Sequence, residues 1–147
     1  MRAHRVFILV AALAIAGCST PPAATITANP DPAHNARNAL DWAGTYRGVL
    51  PCADCEGIET VIVLLDDGTY SSSSKYLGKS NAPFSEQGNF TWNEAGNTIT
   101  LEGPSPVQYF VGENQLIHLA RDGSRITGDL APHYVLAKVA DAATGQR

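Results

Sequence analysis

The sequence predicts an all-β fold, an eight-stranded antiparallel up-and-down barrel. Three observations lead there. From Gly44 onward, short β-prone runs alternate with turn residues at regular spacing. No stretch shows the 3.6-residue apolar period of an amphipathic helix. Consecutive hairpins favour a meander, and closing it removes the exposed edges an open sheet would leave. Eight strands enclose a space that side chains can fill, or that one small ligand can occupy.

The runs are Gly44–Leu50, Gly57–Leu65, Thr69–Leu77, Gln87–Trp92, Thr98–Glu102, Val107–Val111, Gln115–Ala120 and His133–Val139. Asp66-Asp67-Gly68 turns the chain after the second run, and Asn93 to Asn97 after the fourth. Gly103-Pro104-Ser105-Pro106 breaks the fifth, and Arg121-Asp122-Gly123 marks another turn. Thr98 to Glu102 alternates cleanly, with Ile99 and Leu101 predicted inward. Phe90 and Trp92 should join them in the core. Tyr70 and Tyr76 share a face, with serines on both faces of that run.

The start of the chain reads as an export signal over residues 1–17. Arg2 and Arg5 precede an apolar run from Val6 to Ile15, too short to span a bilayer as a helix. Ile15-Ala16-Gly17-Cys18 follows and resembles the lipobox of bacterial lipoproteins, with Cys18 as the lipidated residue. Several acyl chains on one cysteine anchor stably where a single chain would be marginal. In the lipoproteins it resembles, an aspartate after the cysteine signals inner-membrane retention; Ser19 stands there, so the resemblance implies the outer membrane, with the domain facing the periplasm or exposed at the surface. The membrane, reached through this lipid, is the first expected partner. Residues 18–41 hold four prolines from Ser19 onward and little to bury, and are expected to be a flexible tether. The barrel is assigned to 42–139 and a tail to 140–147.

Loss of Arg2 and Arg5 with the leader reduces ten basic residues to eight, against fourteen acidic ones, a formal charge of −6. Such a domain lacks the basic footprint of a nucleic-acid binder. The sequence holds no G-x-S-x-G, H-E-x-x-H or phosphate-binding glycine loop, so no enzyme is expected.

The segment that carries chemistry is Pro51-Cys52-Ala53-Asp54-Cys55-Glu56-Gly57-Ile58, between the first two runs and therefore at a barrel rim. In an exported protein, two cysteines this close are expected to be oxidised to each other. A ring this small constrains little chain, so its entropic stabilisation falls below that of a typical disulfide. The pair can be a plain loop closure, a redox couple or, reduced, a soft-donor site for Cu(I) or Zn(II). A thioredoxin-type enzyme would place such a motif at a helix N-terminus, which lowers the thiol pKa. Here the flanks are strands, and Asp54 and Glu56 act in the opposite sense. Structural zinc needs four ligands, and no second C-x-x-C exists. His34 falls in the tether, His118 in a strand, and His133 at a strand start after Pro132; the last two are the candidates for an added metal ligand.

The domain resembles the NlpE N-terminal-domain family. The resemblance rests on Gly44 to Ile58, then Asp67-Gly68-Thr69-Tyr70, Tyr76-Leu77-Gly78 and Gln87 to Trp92. It echoes in Leu119 to Gly123 and Tyr134-Val135-Leu136, and so covers roughly residues 42–138. The motif around Cys52 and Cys55 is its specific part. The resemblance implies a lipocalin-like barrel and a role in envelope copper homeostasis or surface sensing. An envelope-stress sensor, the Cpx two-component system, is the implied partner, and Cys52 and Cys55 are implied as a disulfide or copper-binding pair. The full-length family member carries a second, OB-like domain with another cysteine pair. The present sequence is expected to be the single-domain form. Two rival readings stay open: a lipocalin-type carrier of a small apolar ligand, and a thiol–disulfide redox protein.

Overall fold

The computed structural model describes residues 34–79 and 82–140. The export signal, Cys18 and residues 141–147 of the tail lie outside them. The described chain forms α1 (Ala36–Ala39), β1 (Gly44–Leu50), β2 (Gly57–Leu64), β3 (Thr69–Leu77) and β4 (Phe84–Trp92). Then come β5 (Thr98–Leu101), β6 (Val107–Gly112), β7 (Gln115–His118), a 3-10 turn (Ala131–His133) and β8 (Val135–Val139). All neighbouring strands pair antiparallel, and β8 returns to β1, closing the barrel. The predicted fold class holds.

The side-chain alternation of a strand sends every second residue inward. Tyr46, Ile62, Leu64, Tyr70, Phe90, Ile99, Leu101, Tyr109, Val111, Leu116 and Leu136 are the buried interior. Cross-strand partners Tyr46–Ile62, Ile99–Tyr109, Val111–Leu116 and Leu116–Leu136 carry that interior round the barrel. Closure needs Gly48, because a Cβ there would stand 2.7 Å from the Val135 carbonyl oxygen on β8. The β2–β3 turn needs Gly68, whose φ of +84° lies in the left-handed region.

Three sequence expectations shift. The tether was expected to extend through residue 41, but its last part is structured. Asn35 caps α1 by accepting from the Asn38 backbone N–H, and Ala36, Leu40 and Trp42 pack against the core. The physical reason is apolar burial: Leu40 and Trp42 cover the end of the barrel that would otherwise expose Phe90 and Trp92. Strand β4 begins at Phe84 rather than Gln87, pairing Ser73 with Ser85 and Ser74 with Phe84. His133 is not in the last strand. Pro132, which fixes φ and lacks an N–H, sits with it in the 3-10 turn, and β8 starts at Val135.

The barrel's two ends differ. One holds the starts of β1, β3, β5 and β7, with residues 34–43 packed across it. Trp42 meets Phe90 edge-on at 5.7 Å and Trp92 at 5.5 Å. The Tyr46 hydroxyl donates to the Trp42 carbonyl at 2.6 Å. Lys138, at an inward position on β8, reaches Asp41 through Nζ at 2.6 Å to its carbonyl and 3.0 Å to its carboxylate. The opposite end carries the cysteine loop, the β3–β4 connection, the β5–β6 loop and the long β7–β8 connection.

Candidate functional site

Pro51 ends β1 because it cannot donate to the ladder, and Gly57 opens β2. The five residues Cys52 to Glu56 between them bend without forming a helix. Cys52 and Cys55 are joined by a disulfide, with Cα atoms 5.3 Å apart. Both cysteines are half-buried, while Ala53, Asp54 and Glu56 are exposed. The Cys52 sulfur lies 3.6 Å from Asp54 Oδ1 and the Cys55 sulfur 3.3 Å from the Gly57 carbonyl oxygen. A disulfide sulfur has no proton to donate, so these are contacts that become S–H donors only on reduction.

Two ties fix this loop to the β3–β4 connection. The Glu56 N–H donates to the Leu77 carbonyl at 3.3 Å. Lys79 forms an ion pair with Asp54. Both side chains are largely exposed, so the pair orients the loop more than it stabilises the fold. Sequence reading missed Lys79. It lies 25 residues from Asp54, and no local pattern joins them.

Among the described residues, Cys52, Asp54 and Cys55 are the group whose metal-ligating atoms converge, all within 4.8 Å of one another. No histidine joins them. His34 is exposed beside α1, and His133 is exposed in the 3-10 turn. His118 points into the barrel between Tyr109, 5.2 Å away and perpendicular, and Tyr134 at 5.8 Å. Its Nδ1 is buried without a hydrogen-bond partner. Burial pulls its pKa below the usual imidazole value, partly opposed by the Leu119 backbone. His118 is therefore a wall residue rather than a ligand beside the cysteines. Burial pushes Tyr46 up to about 12, with Asp41 adding to the rise, and burial also raises Tyr109.

The donor set fits a soft cation only after reduction. In the disulfide neither sulfur is a thiolate; in the dithiol both are available, with one carboxylate beside them. Cys52 lacks the helix start that activates a thioredoxin-type thiol, so the geometry does not support an attacking nucleophile. Side chains fill the closed half of the barrel, where Tyr46, Leu64, Ile99, Leu116 and Leu136 are fully buried. That packing leaves the carrier reading without a ligand-sized interior there.

A small closed antiparallel barrel with a rim C-x-x-C defines the class. The chain belongs to the NlpE family: the model of the NlpE N-terminal domain matches residues 46–129. Lipoprotein NlpE of Escherichia coli K12 is 37% identical over 84 residues, covering 56% of this chain and 36% of that one. The chain thus spans about a third of that relative. The 17 kDa lipoprotein of Treponema pallidum is 28% identical over 150 residues, covering 94% of this chain and 96% of its own. Among solved structures, a Shewanella oneidensis protein described as a lipoprotein matches with a TM-score of 0.67 and 50% identity, covering 71% of this chain and 94% of that one. The Cpx pathway activator NlpE from Escherichia coli matches with a TM-score of 0.50 and 33% identity, covering 58% and 46%.

Proposed function

We propose that this chain is a non-enzymatic lipoprotein, anchored through Cys18 to the outer membrane and facing the periplasm. In this reading it reports envelope redox or copper status through Cys52 and Cys55 and passes that state to an envelope-stress sensor. The observation that carries the reading is the position of the disulfide. It closes a small ring on an exposed loop, outside the packed core, where breaking it removes little buried surface. Residue 34 and Ala140 both lie at the opposite, covered end, so a lipid tether leaving from there presents the cysteine loop away from the bilayer. With the loop reduced, Cys52 and Cys55 would hold Cu(I), and Asp54 with its Lys79 partner would orient the loop. Copper supplies no reaction here; it is the species sensed.

The test is a Cu(I) competition titration of the mature protein in its oxidised and reduced forms. The reduced form should take up one equivalent and the oxidised form none. Equal affinity of both forms would move the site away from these cysteines.

A further inference from the structure

The barrel is closed by strand order but not along its full height. Strand β4 runs nine residues, yet β5 pairs only with Phe90, Thr91 and Trp92. One further bond, Glu102 N–H to the Asn89 carbonyl at 2.9 Å, ends that seam. Beyond it, Phe84 to Gly88 are paired with β3 on one side and, among the described residues, with nothing on the other. The direction of each backbone group follows from one bond. The Phe90 N–H donates to the Gly68 carbonyl, toward β3. Antiparallel ladders alternate, so Gly88, Glu86 and Phe84 also bond toward β3. Ser85 and Gln87 therefore present their N–H and C=O groups to the open side.

We propose that this edge, Phe84 to Gln87, is a docking site for an extended basic segment of a partner protein, which adds to β4 as a ninth strand. Free strand edges accept chains in this way. Charge selects the occupant. Glu86 lies at an inward-facing position on this edge, and the exposed Glu102 follows β5 where the seam ends. At the foot of the gap the Tyr70 hydroxyl donates to the Glu102 carbonyl at 3.0 Å, and burial, then the charges of Glu86 and Glu102, push its pKa up. Phe84, 62% exposed, supplies an apolar contact on the same face as Glu86. An added strand would place an apolar side chain beside Phe84 and a lysine or arginine beside Glu86, since cross-strand neighbours of opposite charge attract. A second copy fits less well. The two-fold register that uses both Ser85 and Gln87 sets Glu86 opposite its own counterpart. The proposal does not rest on the redox reading of the cysteines.

The experiment uses the full mature protein, with a capped peptide of Lys-Thr-Val-Thr repeats as the probe, which sets lysine and valine two apart on one face, and a Glu-Thr-Val-Thr peptide as the control. Amide exchange and chemical shifts of Ser85 and Gln87 are followed by NMR. These amides should exchange freely in the unbound protein and become protected by the lysine peptide alone. Gln87→Pro removes one open-side donor without touching the β3 ladder, and should weaken binding about tenfold. Glu86→Lys should reverse the preference toward the glutamate peptide, which keeps the test decisive if the proline variant misfolds. Equal binding of the two peptides, or unchanged binding by Gln87→Pro, overturns the proposal. So does protection of Ser85 and Gln87 before peptide is added: if independent of protein concentration, the chain covers its own edge, and if dependent, a second copy does.

Discussion

At the covered end of the barrel, Trp42 lies against Phe90 and Trp92, Tyr46 is fully buried with its hydroxyl satisfied, and Lys138 is clamped to Asp41. At the other end, Tyr76 and Phe84 stand exposed, half of β4 lacks an outer neighbour among the described residues, and a disulfide closes the four residues Cys52 to Cys55. One register connects the two. Tyr70 and Tyr76 project from the same face of β3, yet Tyr70 is 4% exposed and Tyr76 44%. The difference is one of height along the barrel. It teaches that packing is concentrated at the covered end, which leaves the open end to carry reactive and unpaired groups.

Substitutions at the two ends should therefore differ sharply. The largest effect belongs to Tyr46→Ala, which empties a fully buried aromatic site and orphans the Trp42 carbonyl. By analogy with buried phenylalanine it should cost about 3–5 kcal/mol, read by urea unfolding. Trp42→Ala removes two edge-to-face contacts and part of the cover, and should cost about 2–3 kcal/mol in the same assay. If it costs nothing, residues 34–43 are ornamental and the end is not held shut by them.

The comparison also has a pH signature. Tyr46 titrates near 12 in the folded protein against 10.0 as its ordinary value. The neutral phenol is favoured by folding, so this contribution is intact below pH 10 and is lost as pH rises through 12. Unfolding at pH 9 and 11.5 should show the decline, and Tyr46→Phe should flatten it. In acid the sign reverses. His118 is held below its ordinary value, so its contribution is present above about pH 6.5 and lost as pH falls through the lowered folded value. His118→Phe should shallow the acid limb of the stability profile.

The strands were legible because their inward positions alternate with polar ones, as in Thr98 to Leu101. Phe84 to Glu86 was missed as part of β4 because that half covers no core, and so carries no apolar alternation to read. The helical turn at Ala36–Ala39 was hidden by its composition. Its capping asparagine, Asn35, was the available local signal, but burial of Leu40 and Trp42 depends on strands far along the chain. The cysteine loop was placed correctly at a rim by its flanking strands. Its ion pair with Lys79 was not, since that contact exists only once β2 and β3 have paired.

The most direct test of the division between the ends is the double substitution Cys52→Ser with Cys55→Ser. Small-ring disulfides contribute less than the roughly 2–4 kcal/mol typical of such bonds, and this one lies outside the core. The smallest stability change of the set is therefore expected, together with complete loss of Cu(I) uptake by the reduced protein. An unfolded double variant, or a folded one that still binds Cu(I) with the original affinity, would contradict the account.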